Sequence, residues 1–168
     1  MKYTSKVYIK SVKRHLKISK YKNLLINNLI LNFMGIFDFF SKKKSYVKMQ
    51  NEEKISHLKN LIAVAISDGK VDEEEFATLV CICEREGLAI ETINDIIKDP
   101  NSVEYVKPTD YETKIQYLRD MVSIMMVDGN IDKKELALCK LTALNLGFKH
   151  EIIDAMIVDI IKYLEKES

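Results

Sequence analysis

Apolar residues along this chain cluster at helical spacing, with few alternating β-branched runs; Leu, Ile, Lys and Glu abound, against two prolines and five glycines. That pattern predicts an all-α chain. Shifting the sequence by 60 positions aligns residues 61–97 with 121–157 without a gap and leaves nine of the 37 positions identical. The apolar runs coincide too, "LIAVAI" at 61–66 against "MVSIMM" at 121–126. Self-similarity at a fixed period marks a duplicated supersecondary unit.

Each copy reads as three helices. The first ends at an Asp-Gly pair, the second runs over about 73–86 or 133–146 and stops at Gly87 or Gly147, and the third covers about 90–98 or 150–165. Both prolines fall in the link "KDPNSVEYVKPTD" between the copies. One unit has three apolar faces and cannot bury them alone. The expected fold over residues 34–168 is therefore a compact helical domain of two pseudo-symmetric three-helix repeats, about 51–98 and 110–165. Residues 34–50 would close one side, and 1–33 would form a basic extension.

Two acidic corners, "SDGKVDEEEF" at 67–76 and "VDGNIDKKEL" at 127–136, carry the candidate chemistry. They overlay the second half of an EF-hand loop, but the positions that should open the loop with oxygen ligands are Val64 and Ile66, or Ile124 and Met126. A true EF-hand is excluded. Local structure accounts for much of the motif: Asp72 suits a helix N-cap, Glu75 three residues on completes a capping box, and Val71 with Phe76 forms a hydrophobic staple that Ile131 and Leu136 repeat. Asp68 and Asp128 resist that account, because an acid at a helix C-terminus faces the negative end of the macrodipole. Each either accepts hydrogen bonds from the following helix's first amides or offers its carboxylate to a cation. The candidate metal ligands are thus Asp68, Asp72 and Glu75 in one copy and Asp128, Asp132 and Glu135 in the other. A hard ion such as Ca²⁺, Mg²⁺ or Mn²⁺ wants about six oxygens or more, so water or the other copy must complete the shell and the sites should be weak. Glu73 and Glu74 favour the first corner over the second, which has Lys133 and Lys134.

Charge divides the chain. Residues 1–50 hold twelve Lys or Arg against Asp38, a net +11, whereas residues 51–168 hold fourteen against 24 acids, a net −10. An acidic body repels phosphates, so no nucleic acid is expected for it. The apolar stretch Leu24 to Phe40 is interrupted by Asn27, Asn28, Asn32 and Asp38 and lacks a small-x-small cleavage site, which argues against a signal peptide or a membrane span. An amphipathic or polybasic arm for anionic lipid or nucleic acid and a stretch outside the natural product both remain open for residues 1–33; the start-like "MGIFDFFSKKK" suggests translation from Met34. Cys81, Cys83 and Cys139 are odd in number and lie in helical patterns, which points to buried thiols in a reducing, cytoplasmic setting.

The two corners together, "AISDGKVDEEEF" and "MVDGNIDKKELALCKLTALNLGF", resemble the paired signature segments of the bacterial tellurite-resistance TerB family, over residues 34 to about 165. The resemblance implies an all-helical fold of two pseudo-symmetric halves, a cytoplasmic protein sometimes found at the inner membrane face, and a role in tellurite or chemical stress. It also implies divalent-cation binding by the signature acids and no settled enzymatic activity. The residues agree on the last point: His15, His57 and His150 are scattered, and no phosphate-cradling glycine pattern or nucleophile–base spacing occurs. The expected function is a non-enzymatic, metal-responsive stress protein. A metal-free helical module for protein partners and a membrane-surface adaptor working through the N-terminus are the alternatives.

Overall fold

Cap chemistry fixes where each helix begins. The computed structural model describes residues 49–167 apart from 68 and 70. The extension 1–33, the start at Met34, nearly all of the 34–50 segment and Asp68 lie outside the described residues. Helix α1, Asn51–Ala65, opens on a capping box in which the Gln50 amide donates to Glu53 Oε2 at 3.0 Å. Helix α2, Glu73–Glu86, repeats the device with the Asp72 amide and Glu75 Oε2 at 2.8 Å. After α3, Glu91–Lys98, and a 3-10 turn, Pro100–Ser102, helix α4, Tyr111–Met126, is capped by Asp110, whose Oδ1 accepts the Thr113 amide at 2.8 Å. Helices α5, Lys133–Leu146, and α6, Glu151–Glu167, complete the described chain. These satisfied first-turn amides would otherwise be orphan donors.

Glycine fixes where α2 and α5 end. Gly87 and Gly147 have φ of 70° and 93°, and the next residue folds back in each case: the Leu88 amide donates to the Cys83 carbonyl at 2.8 Å and the Phe148 amide to the Ala143 carbonyl at 2.9 Å. Leu88 and Phe148 then lean on the core, which turns each helix stop into a packed corner.

The all-α expectation holds: the described residues contain six α-helices and no strand. Helices α1 and α4 form the centre; α1 packs against α2, α3, α4 and α5, and α4 against α1, α2, α5 and α6. One continuous core results, with Leu58, Leu61, Leu79, Leu118, Met121, Ile124, Ile153 and Ile160 fully enclosed. Met49, from the segment expected to close one side, belongs to it. Tyr117 of α4 is also fully buried, and its hydroxyl donates to the Glu53 carbonyl of α1 at 2.7 Å, so the largest core side chain leaves no polar atom stranded. Among the described residues no helix is long and apolar enough to cross a membrane.

Candidate functional site

The two acidic corners are built differently. Asp72 and Glu75 form their capping box, whereas in the second corner Asp132 Oδ1 accepts the Lys134 amide at 2.7 Å. That bond holds the Asp132 carboxyl below its ordinary range. Asp128, which capping left unexplained, has its Oδ1 on the Asn130 amide at 2.9 Å. Its partner is therefore an amide of the corner itself, not of the first turn of α5. Asp68 lies outside the described residues.

Glu75 and Glu135 occupy the same register in their helices. Glu75, Leu79 and Cys83 form one stripe of α2, and Glu135, Cys139 and Ala143 form one stripe of α5; all but the two glutamates are core side chains. Each glutamate is 7% exposed, and their side chains are hydrogen-bonded to each other. Two ionised carboxylates cannot make that bond, so the pair holds a proton. Burial first, then the charge of Glu75 and the bond to it, then Asp128 and Asp132, push Glu135 up to about 8. Glu75 Oε2 also accepts the Asp72 amide, so this carboxyl serves the helix cap and the shared pair at once.

This junction gathers negative potential beneath the second corner. Its donors are all oxygen, the set that hard divalent ions take. Glu75 and Glu135 could hold one such ion in place of their proton, with Asp128 and Asp132 adding charge nearby. Asp72 and Asp132 are engaged as caps, however, and among the described residues no three acidic, His or Cys side chains are grouped as a metal-binding set. The first corner, expected to be the stronger site, does not stand alone: its buried carboxyl belongs to the shared pair.

A second polar cluster joins α1, α2 and α4 and went unseen in the sequence. Arg85 grips Asp120 with two bonds, Nη1 to Oδ1 at 2.8 Å and Nη2 to Oδ2 at 2.6 Å, and its Nε donates to Glu86 Oε1 at 2.9 Å. His57 Nε2 meets Asp120 Oδ2 at 2.8 Å, Gln116 Nε2 donates to Asp120 Oδ1 at 3.0 Å, and Lys54 Nζ donates to the Glu86 carbonyl. The His57 ring stacks on Tyr117, with centroids 3.8 Å apart and planes 16° from parallel. Burial works to raise the Asp120 pKa, but the Arg85 guanidinium, with His57, holds the carboxyl well below the usual range. His57 Nδ1 and Glu86 Oε2 are buried without a hydrogen-bond partner. The signal in the sequence was register: Glu86 continues the stripe Leu79, Cys83 and Asp120 sits between Tyr117 and Met121, so both charges occupy core positions.

The three cysteines are buried. Burial, with Glu86 and Glu84, pushes the Cys83 thiol up to about 12; burial and Glu135 do the same for Cys139.

No protein-family model, curated protein or solved structure matches this chain.

Proposed function

We propose that this is a TerB-like, non-enzymatic protein of tellurite or chemical-stress resistance, cytoplasmic, whose acidic corners take up a divalent cation through carboxylates shared between two repeats. The observation that carries the reading is the buried Glu75–Glu135 pair, one carboxyl from each signature segment. Residues at a twofold axis meet their own equivalents, and two such pairs occur at the 60-residue offset: Glu75 with Glu135, and His57 with Tyr117. Both support duplicated halves related by a pseudo-twofold axis. In this reading Glu75 and Glu135 hold the ion, and Asp128, Asp132 and the Asp68 corner lend charge. The cation neutralises the facing carboxylates and ties α2 to α5.

Calorimetric titration of the full chain with Ca²⁺, Mg²⁺ and Mn²⁺ tests this. Weak saturable heat that disappears in a Glu75→Gln, Glu135→Gln variant supports the assignment; heat unchanged in that variant removes both residues as ligands. For the stress role, tellurite tolerance of cells carrying the double variant should fall to that of cells lacking the protein.

The metal-free alternative draws on the capping bonds of Asp72 and Asp132, which occupy two candidate ligands with structural work. A helical module for protein partners would show the same thermal stability with and without chelator. Peripheral membrane contact through residues 1–33 remains a proposal from their charge, and flotation with anionic liposomes beside a chain starting at Met34 separates it from the other readings.

A further inference from the structure

Helices α2 and α5 share a register at the 60-residue offset, yet they are not equally enclosed. On α2, Ala77 and Cys81 are 9% and 6% exposed and Thr78 is buried. At the matched places on α5, Ala137 and Leu141 are exposed, Leu141 at 53%, and Leu138 is half-buried. In two of these three places the larger side chain is the one left in water. Packing between the described helices would give the opposite result, since α1 and α4 pack closely on α2, whereas α1, α4 and α6 pack closely on α5. Ala77 and Cys81 also stand outside the core that these helices build, although their neighbours Leu79, Val80 and Cys83 belong to it.

Side chains so far from water need atoms over them. Much of the rest of the described chain is committed elsewhere. Helix α3 packs on α1, and α6 packs on α4 and α5. The link after α3 runs beside α1, where Lys59 Nζ donates to the Val103 carbonyl at 2.7 Å and the Val106 amide donates to Ser56 Oγ at 2.8 Å. Val71 and Leu88, from the corners at the two ends of α2, lean on the core.

We propose that residues 34–48, "MGIFDFFSKKKSYVK", are the cover, docked on the face of α2 that carries Ala77 and Cys81. The tether fits. Met49 is buried in the core, and Lys54 of α1 donates to the Glu86 carbonyl at the C-terminal end of α2, so the segment joins the described chain beside that end. Fifteen residues reach about 22 Å even at helical rise, enough to run back along the 14 residues of α2, about 21 Å. Charge fits as well. Glu73 and Glu84 lie one turn to either side of Ala77 and Cys81, whereas the segment joins Lys42, Lys43, Lys44 and Lys48 to three phenylalanines and has Asp38 as its one acid. An anionic lipid surface would be repelled by the same two glutamates. The difference between the helices then has a cause: the link that precedes the second copy stays on α1, so Leu141 and Leu144 of α5 remain in water. Phe37, Phe39 and Phe40 thus serve the protein's own fold, and any membrane contact falls to residues 1–33.

Alkylation of the full chain, with each cysteine resolved by fragment mass, tests the cover. Phe37→Ser, Phe39→Ser, Phe40→Ser in one chain should speed labelling of Cys81 by at least about tenfold, while Cys83 and Cys139 keep their wild-type rates. Zero-length carbodiimide cross-linking of the wild type should join Glu73 or Glu84 to a lysine of 42–48 within the monomer. Cys81 labelled no faster in a variant of unchanged circular dichroism overturns the proposal. So does a wild-type monomer in which Glu73 and Glu84 cross-link only to lysines of residues 1–33, or to none of the N-terminal lysines. If all three thiols accelerate alike, the variant has lost its fold and the cross-link decides.

Discussion

Glu75 and Glu135, sixty residues apart, meet carboxyl to carboxyl inside the protein, the one bonded to its own helix cap and the other to its counterpart. The motif that carries them reads as two separate corners, yet its last acid faces inward in both. A proton resolves the repulsion where no cation does. The same residue thus serves a local purpose in α2, closing a capping box, and a long-range one, fixing α2 against α5.

That proton makes stability depend on pH. With Glu135 raised from 4.5 to about 8 in the folded protein, the native state binds one more proton than the unfolded chain between those values. Stability from this group is then fully present below about pH 4.5 and is lost as pH rises through about 8. In the presence of chelator, urea unfolding at pH 6 and pH 9 should show the wild type weakening by an amount on the order of 2–3 kcal/mol. Glu135→Gln keeps a donor toward Glu75 and should flatten that slope, being the more stable protein at pH 9. Parallel profiles for wild type and variant would remove the shared proton from the account.

Asp120 is the hub of the buried cluster, holding Arg85, His57 and Gln116 at once. Removing one partner of a buried ion pair leaves the other charge uncompensated, which typically costs about 3–5 kcal/mol. Asp120→Asn should lower stability by roughly 3 kcal/mol in urea unfolding, because the Arg85 guanidinium loses the carboxylate it grips with two bonds. Asp120→Asn, Arg85→Met, Glu86→Gln should recover part of that loss, since neither the guanidinium nor the Glu86 carboxylate it holds is left as a stranded charge. A triple variant no better than the single one would show that shape, not charge, sets the cost.

How much of this was legible depended on whether local chemistry decided the outcome. The spans 73–86 and 133–146 read directly from Asp72, Asp132, Gly87 and Gly147 because caps and left-handed stops act within a turn or two of the chain. The pairing of Glu75 with Glu135 is a tertiary contact and left only an indirect trace, an acid at the head of a core stripe. Asp128 was correctly singled out as lacking a capping role, but its bond to the Asn130 amide belongs to the corner's own backbone path, which periodicity does not describe. His57 gave no signal, since its stacking on Tyr117 and its bond to Asp120 arise where α1 crosses α4.

Gly147 offers a clean test of backbone strain. An added Cβ would meet nothing within 4 Å, so Gly147→Ala costs only what the φ of 93° imposes. The expected loss is about 1–2 kcal/mol in chemical denaturation, with Gly147→Asn milder because asparagine tolerates the left-handed region better. Gly87→Ala, at a φ of 70° with equal space around it, should behave alike. An unperturbed alanine variant would mean that the Phe148 amide can reach the Ala143 carbonyl by another path.

The thiols report on whether the core opens piecemeal or as a whole. Cys83 and Cys139 are fully buried and pushed up to about 12, in the first case by burial with Glu86 and Glu84 and in the second by burial with Glu135. Almost no thiolate exists at neutral pH, and the sulfur is out of reach of reagent, so alkylation of the native protein should run at least about a hundredfold slower than in urea. Cys83 sits one turn before the end of α2 and Cys139 at mid-helix in α5, and both belong to the one core cluster. If that core is a single cooperative unit, the two thiols should react at a common rate that tracks the global unfolding free energy, and Asp120→Asn should accelerate both alike. Faster labelling of Cys139 alone would locate a sub-global opening in α5 and α6, the hairpin whose outer face is apolar and exposed.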